Sequence, residues 1–349
     1  RKGRSYWKAN ENDDMKFNAI VGNPPYQVLD GGGSGESAKP VYNQFVDIAK
    51  RLTPKYISLI MPARWYSGGK GLDSFRSEML DDKRISCLVD YPDSRDCFPS
   101  VDVAGGICYF RWDYEHNGLC LYTSVKNGIR TSGERALNEY DTFIRHIEAE
   151  HIIKKVKSVS TTFFSTQVFS RNPFGLTNKK LKVSEPFDKS VLVISSKGEF
   201  YVHRDYIDSN VDIIDKWKVI ISKTSSEHAG QTDKQGRRRV LSRIEVLDPN
   251  KVCSESYLVI GVFDDKKPAI SLSRYLKSRF LRFLLSTILL TQNISKGMFS
   301  FVPRQDFSSD SDIDWGKPIP EIDQQLYKKY KLSKEEIAFI ERMIKPMSE

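Results

Sequence analysis

Short apolar runs alternate with segments of helical spacing over the first third of the chain. Phe17-Asn18-Ala19-Ile20-Val21-Gly22 is a brief apolar run that stops at a proline pair, and it predicts a buried parallel strand. From Val41 to Leu52, the residues Tyr42, Phe45, Val46, Ala49 and Leu52 recur at helical spacing. Tyr56 to Met61 is apolar again and is closed by Pro62, so a strand, helix, strand unit is expected. A helix from Asp73 to Asp82, a strand from Ile85 to Val89 and another from Gly106 to Trp112 continue the alternation, which favours an α/β sheet.

Beyond Asn117 the alternation stops. A long helix is expected from Glu134 to Lys157, with Leu137, Phe143, Ile144, Ile147, Ile152 and Val156 as its apolar positions. Short strands follow, separated by clusters of Gly, Asn, Ser and Asp. A second helix is expected from Leu272 to Gln292, and a terminal one begins at Ser333, with Glu336 at capping-box spacing. This is the texture of a mixed α+β module, with no internal repeat. The expected domains are residues 1–120 and 121–349.

Composition narrows the class. With 349 residues, 39% of them hydrophobic, the chain can fill two cores, and 19 Phe with 16 Tyr argue against disorder. The longest apolar stretch, around Leu284 to Leu290, falls well short of the roughly 20 residues a membrane span needs. Arg1 to Trp7 lead into no apolar run, so no signal peptide is expected. Cys87, Cys97, Cys108, Cys120 and Cys253 form no CxxC pair and have no histidine at ligand spacing. No metal site and a reduced, cytoplasmic protein are therefore expected. The net charge of +9 is unevenly spread: residues 151–310 hold 27 Lys and Arg against 16 Asp and Glu, leaving the rest near neutrality. A basic domain beside a neutral one is a common footprint of polyanion binding, and an ordinary basic surface is the alternative.

The chemistry is concentrated in Asn23-Pro24-Pro25-Tyr26, directly after the first strand. Asn23 precedes a proline and is pushed to extended geometry, and neither proline has an N–H to compete for acceptors. The resulting rigid corner suits an exocyclic amine, whose lone pair is otherwise delocalised into its ring. The Asn23 side-chain oxygen and the Pro24 carbonyl would accept its two N–H bonds and favour a more tetrahedral nitrogen, which is catalysis by positioning and electrostatics. Tyr26 would offer a stacking face to a base taken out of the duplex. A strand-ending turn with no chemistry is the plainer reading.

Phe17 to Tyr26 resembles motif IV of the gamma-group adenine-N6 DNA methyltransferases, including the methylase portions of restriction–modification enzymes with fused subunits. Ile57 to Trp65 is similar to the strand and proline-ended turn that follow in that family, and Phe98-Pro99 resembles its motif VIII, whose aromatic packs on the flipped adenine. Gly297 to Pro303 more weakly resembles the target-recognition domains. The resemblance implies a partial Rossmann-like methyltransferase sheet followed by a mixed α+β target-recognition domain. It also implies methyl transfer from S-adenosylmethionine to adenine N6 in a specific DNA sequence, within a restriction–modification system. One departure is large: the family's glycine-rich cofactor motif precedes its Asn-Pro-Pro-Tyr, and the 22 residues before Asn23 contain none. Gly31 to Gly35 follow the motif without strand–turn–helix context and read as a loop. The main cofactor motif is therefore expected outside this chain, in a missing N-terminal methyltransferase segment or a partner subunit.

The candidate phosphate contacts are Arg237, Arg238 and Arg239; Lys179 and Lys180; and Arg274, Lys277, Arg279 and Arg282 on one expected helix, with double-stranded DNA as partner. Solvated charge is the alternative for each cluster. Two further functions stay open: a non-catalytic DNA-binding specificity fragment, and an amino-methyltransferase acting on RNA or a protein glutamine. A nuclease signature is not evident.

Overall fold

A computed structural model describes residues 17–28, 39–68, 71–178, 183–226, 232–233, 235–289 and 292–347. The chain divides into two compact units, Arg1–Arg145 and His146–Glu349.

The first unit is built on a six-stranded mixed sheet in the order β1-β4-β6-β5-β7-β8. Its strands are β1 (Ala19–Gly22), β4 (Tyr56–Pro62), β5 (Ile85–Tyr91), β6 (Ile107–Asp113), β7 (Cys120–Lys126) and β8 (Ile129–Arg135). A short antiparallel pair, β2 (Gln27–Val28) and β3 (Lys39–Pro40), lies between β1 and helix α1 (Tyr42–Arg51), and α2 spans Asp73–Asp81. β1 is parallel to β4, β6 is antiparallel to both β4 and β5, and β5 is parallel to β7. The carboxyl ends of β1, β4 and β5 therefore share one edge of the sheet, where ligands of open α/β sheets bind. β4 alternates, burying Ile57, Leu59 and Met61. α1 buries Tyr42, Val46 and Ala49 on one stripe and leaves Phe45, Ile48 and Leu52 exposed on another.

Three expectations need correction in this unit. The first strand is parallel as expected but, among the described residues, not buried: no strand flanks its outer side, and Val21 is 77% exposed. The division at 120/121 is displaced to 145/146, because β7 and β8 extend the first sheet and carry residues 120–135 into it. The long helix from Glu134 is shorter, since Glu134 and Arg135 pair with β7 and the helix α3 spans only Ile147–Val159. Phe143 and Ile144 are buried as their spacing suggested, but in irregular backbone.

The second unit contains two three-stranded sheets. One has the order β10-β9-β13, from β9 (Ser190–Ser195), β10 (Gly198–His203) and β13 (Lys251–Cys253); the other has the order β12-β11-β14, from β11 (Trp217–Ser222), β12 (Ile244–Leu247) and β14 (Tyr257–Phe263). Phe174, Val193, Phe200, Ile220, Val252 and Val259 belong to one core shared by strands of both sheets. The helix expected over 272–292 is two helices, α4 (Lys266–Lys277) and α5 (Arg279–Ile288). Ser278 breaks it: its backbone is extended and its Oγ accepts from the Leu281 N–H at 3.1 Å, an N-cap for α5. α6 (Ile319–Lys329) and α7 (Lys334–Met343) complete the unit, and α7 has the capping box read at Ser333 and Glu336. No helix among the described residues is long and apolar enough to cross a membrane, and no group of His, Cys, Asp and Glu among them is placed to hold a metal ion.

Candidate active site

Asn23 to Tyr26 leave the carboxyl end of β1. The Tyr26 carbonyl accepts from the Val41 N–H at 3.2 Å, immediately ahead of α1, so the corner is tied at both ends to regular structure. Pro24 is buried, Asn23 and Pro25 are exposed, and Tyr26 is half-buried. The Tyr26 hydroxyl is buried with no hydrogen-bond partner among the described residues. Burial pushes its phenol above the usual value, and the Cys97 and Cys108 thiols add to the shift.

Cys97 belongs to a second loop. It precedes Phe98 in the loop joining β5 to β6, at the same sheet edge as the corner. Phe98 is half-exposed. The structure thus brings the Asn23–Tyr26 corner and the Phe98 loop to the same edge of the sheet, on β1 and β5, with β4 and β6 between them. Beneath them, Trp65 donates to Cys108 Sγ at 3.4 Å and packs edge-on to Tyr66 and Phe75, with centroids 4.6 and 5.9 Å away. Burial pushes the Cys108 thiol up to about 12, so it stays protonated and inert.

A second feature was invisible in the sequence. Asp90, the penultimate residue of β5, is fully buried and accepts from Arg145 Nε at 2.8 Å and Nη2 at 2.6 Å. The Tyr122 hydroxyl lies 3.1 Å from Asp90 Oδ2 and 2.6 Å from the Arg145 carbonyl. The Arg145 guanidinium also sits 5.3 Å from the centre of the Tyr66 ring. This network fixes the strand end from which the Phe98 loop departs.

In the second unit the basic candidates separate. Arg282 is 0% exposed: Nε donates to the Lys277 and Ser278 carbonyls at 3.1 and 3.2 Å, and Nη1 donates to the Arg239 carbonyl at 3.0 Å. Arg238 is buried and donates to the Ser286 and Leu289 carbonyls at the end of α5, each at 3.2 Å. Arg238 and Arg282 are therefore corrected from phosphate contacts to internal braces, since both are buried and donate to backbone carbonyls. Arg239 is exposed, Arg237 is half-buried beside Asp233 at 3.6 Å, and Lys277 is half-buried. Arg274 donates to the Trp315 carbonyl at 2.5 Å. Lys266 and Lys267, not singled out from the sequence, line with Arg274, Asp312 and Asp314 an open cleft of about 710 Å³ bordered by residues 307–316. Their signal was two lysines at the start of an amphipathic helix. Lys179, Lys180 and the glycine loop at 31–35 lie outside the described residues.

The described residues thus place a proline-cornered Asn and an aromatic loop at one edge of a mixed sheet, and comparison with known proteins shows what the chain is similar to. Residues 2–98 match the family described as Eco57I restriction-modification methylase. An uncharacterized adenine-specific methylase of Mycoplasma pneumoniae is 41% identical over 109 residues, which is 31% of this chain and 26% of that protein. Among solved structures, the type IIG restriction endonuclease BpuSI is 13% identical with a TM-score of 0.37, over 91% of this chain and 49% of its own. The type IIL restriction-modification enzyme MmeI, solved in complex with DNA, is 10% identical with a TM-score of 0.44, over 92% of this chain and 56% of its own. The chain thus spans only a part of each of these proteins.

Proposed function

We propose that this chain is the acceptor-binding and target-reading part of an adenine-specific DNA methyltransferase of a restriction–modification system, transferring methyl from S-adenosylmethionine to adenine N6. The observation that carries the reading is the position of Asn23–Tyr26 at the carboxyl end of β1, on the same edge of the sheet as the loop that bears Phe98. Asn23 Oδ1 and the Pro24 carbonyl accept the two N–H bonds of the flipped adenine, drawing its nitrogen toward tetrahedral geometry, while Tyr26 and Phe98 hold the ring by stacking.

The residues present fit the methyl acceptor and not the methyl donor. Among the described residues at this sheet edge, no glycine-rich turn joins a strand to a helix. The cradle for S-adenosylmethionine is assigned to a segment outside them, either N-terminal in the same polypeptide or in a partner subunit. The outer side of β1 supports this assignment. Among the described residues no strand pairs with it, and Val21, Phe45, Ile48 and Leu52 are exposed nearby in the chain.

The second unit, residues 146–349, is read as the target-recognition domain. Arg237, Arg239, Arg274, Lys277, Lys266 and Lys267 are its phosphate contacts on duplex DNA. The test is to incubate plasmid DNA with S-adenosylmethionine and the protein, alone and with its cofactor-binding segment, and to map modified bases by long-read sequencing. N6-methyladenine in one short motif is expected. Methylated RNA or protein glutamine with unmodified DNA would overturn the proposal, and DNA binding with no methylation in either form would leave a specificity fragment.

A further inference from the structure

The loop that presents Phe98 is larger than its connection requires and is braced throughout. Antiparallel neighbours such as β5 and β6 can be joined by a few residues, yet residues 92–106 intervene. At the neck, Gly106 has φ of +81°, and a Cβ there would stand 2.2 Å from the Tyr91 carbonyl oxygen and 2.7 Å from that of Pro92. The two ends of the loop therefore cross backbone against backbone, and only glycine fits. Asp93 accepts from the Arg95 N–H at 3.0 Å and caps the short turn Ser94–Asp96. On the outside, Asp96 Oδ2 accepts from the Asn127 N–H in the β7–β8 turn at 2.9 Å.

Ser94 is the centre of this arrangement. It is 1% exposed, and its Oγ donates to the Val101 carbonyl at 2.8 Å while accepting from the Val103 N–H at 2.8 Å. Its own carbonyl accepts from the Phe98 N–H at 2.7 Å, and the Phe98 carbonyl accepts from the Val101 N–H at 2.9 Å. Both backbone groups of Phe98 thus belong to a ring of bonds that closes through one serine hydroxyl. The Phe98 side chain remains half-exposed at the edge where the Asn23 corner lies.

We infer that Ser94 is a positioning residue for base capture: its hydroxyl cross-braces the 92–106 loop and holds the Phe98 ring in place to stack on an extruded base. The inference rests on the proposed role of Phe98. A ring already held in place loses little freedom when a base stacks on it, whereas a loose loop must be ordered at the moment of capture.

The test uses the methylation-competent protein and a duplex with 2-aminopurine at the adenine mapped as its target. Thermal melts first confirm that Ser94→Ala is folded; if it is not, Ser94→Cys, which keeps the side chain but replaces the hydroxyl with a weakly bonding thiol, carries the same test. Ser94→Ala is expected to speed amide exchange at Val103 and to weaken capture, read as the half-saturating protein concentration of the fluorescence rise, by about fivefold, the equivalent of one hydrogen bond. Adding Ser94→Ala to Phe98→Ala should weaken it no further, because the serine acts through the ring. Unchanged capture in Ser94→Ala, with capture lowered in Phe98→Ala, overturns the positioning role and leaves the stacking role standing. A full additional loss in the double variant also overturns it. Unchanged capture in Phe98→Ala removes the stacking role itself, and the role of Ser94 with it.

Discussion

Replacing Asp90 with alanine should be among the most damaging single changes in the first unit. Asp90 is 0% exposed and takes two charge-assisted bonds from Arg145, at 2.8 and 2.6 Å. Removing the carboxylate leaves a buried guanidinium without its counter-charge, and breaking such a pair costs about 3–5 kcal/mol. With a urea slope of about 2–3 kcal/mol per M, the unfolding midpoint should fall by roughly 1–2.5 M. Tryptophan fluorescence is a suitable probe, because Trp65 and Trp112 are buried in this unit. The companion variant Asp90→Leu with Arg145→Met removes both charges together and should recover most of the loss. A midpoint for Asp90→Ala within about 0.3 M of wild type, less than 1 kcal/mol, would refute the reasoning.

Asp82 supplies a pH signature. Burial pushes its carboxyl up, but bonds from Arg84 at 2.7 Å, Lys50 at 2.8 Å and Trp112 Nε1 at 2.9 Å outweigh this and hold it at about 2. Its folded value is below its unfolded one, so it contributes about 2 kcal/mol above pH 4 that is lost as pH falls toward 2. Urea melts should show wild type converging on Asp82→Asn over that window, and a gap independent of pH would contradict the assignment. Neutralising Arg237 and Arg239 together should leave stability intact and reduce the salt slope of DNA binding by up to about two, at roughly 0.9 per contact; an unchanged slope would return both to solvated surface. Arg282→Ala should instead unfold the second unit at lower urea, with three backbone carbonyls losing their donor, and a wild-type midpoint would show that the brace is dispensable.

The alternation of strands and helices up to Trp112 was legible because each apolar run is short and each helix presents one stripe. Neighbour relations were not. An apolar run of strand length does not say whether one strand or two will flank it, so β1 read as buried although among the described residues it is an edge. Phe143 and Ile144 mimic a helical stripe because burial alone sets their identity. Ser278 carried a readable signal, a cap residue inside an apolar periodic run, and so did Arg282, flanked on both sides by Phe280, Leu281, Phe283 and Leu284. An arginine in such company is more at home on carbonyls than on phosphate. The Asp90–Arg145 pair joins positions 55 apart, and no local pattern could have announced it. Of the candidate site, the Asn23 corner stood out because two successive prolines leave the backbone little choice, whereas the brace at Ser94 depends on contacts that close only once the loop is folded.

In the proposed function, everything turns on Asn23 holding the amine being methylated. The direct measurement is the single-turnover rate of methyl transfer to the mapped duplex by Asn23→Ala, together with its DNA affinity. The rate should fall by at least about a hundredfold, near 3 kcal/mol in the barrier, with affinity almost unchanged. Turnover at the wild-type rate would contradict that role of Asn23.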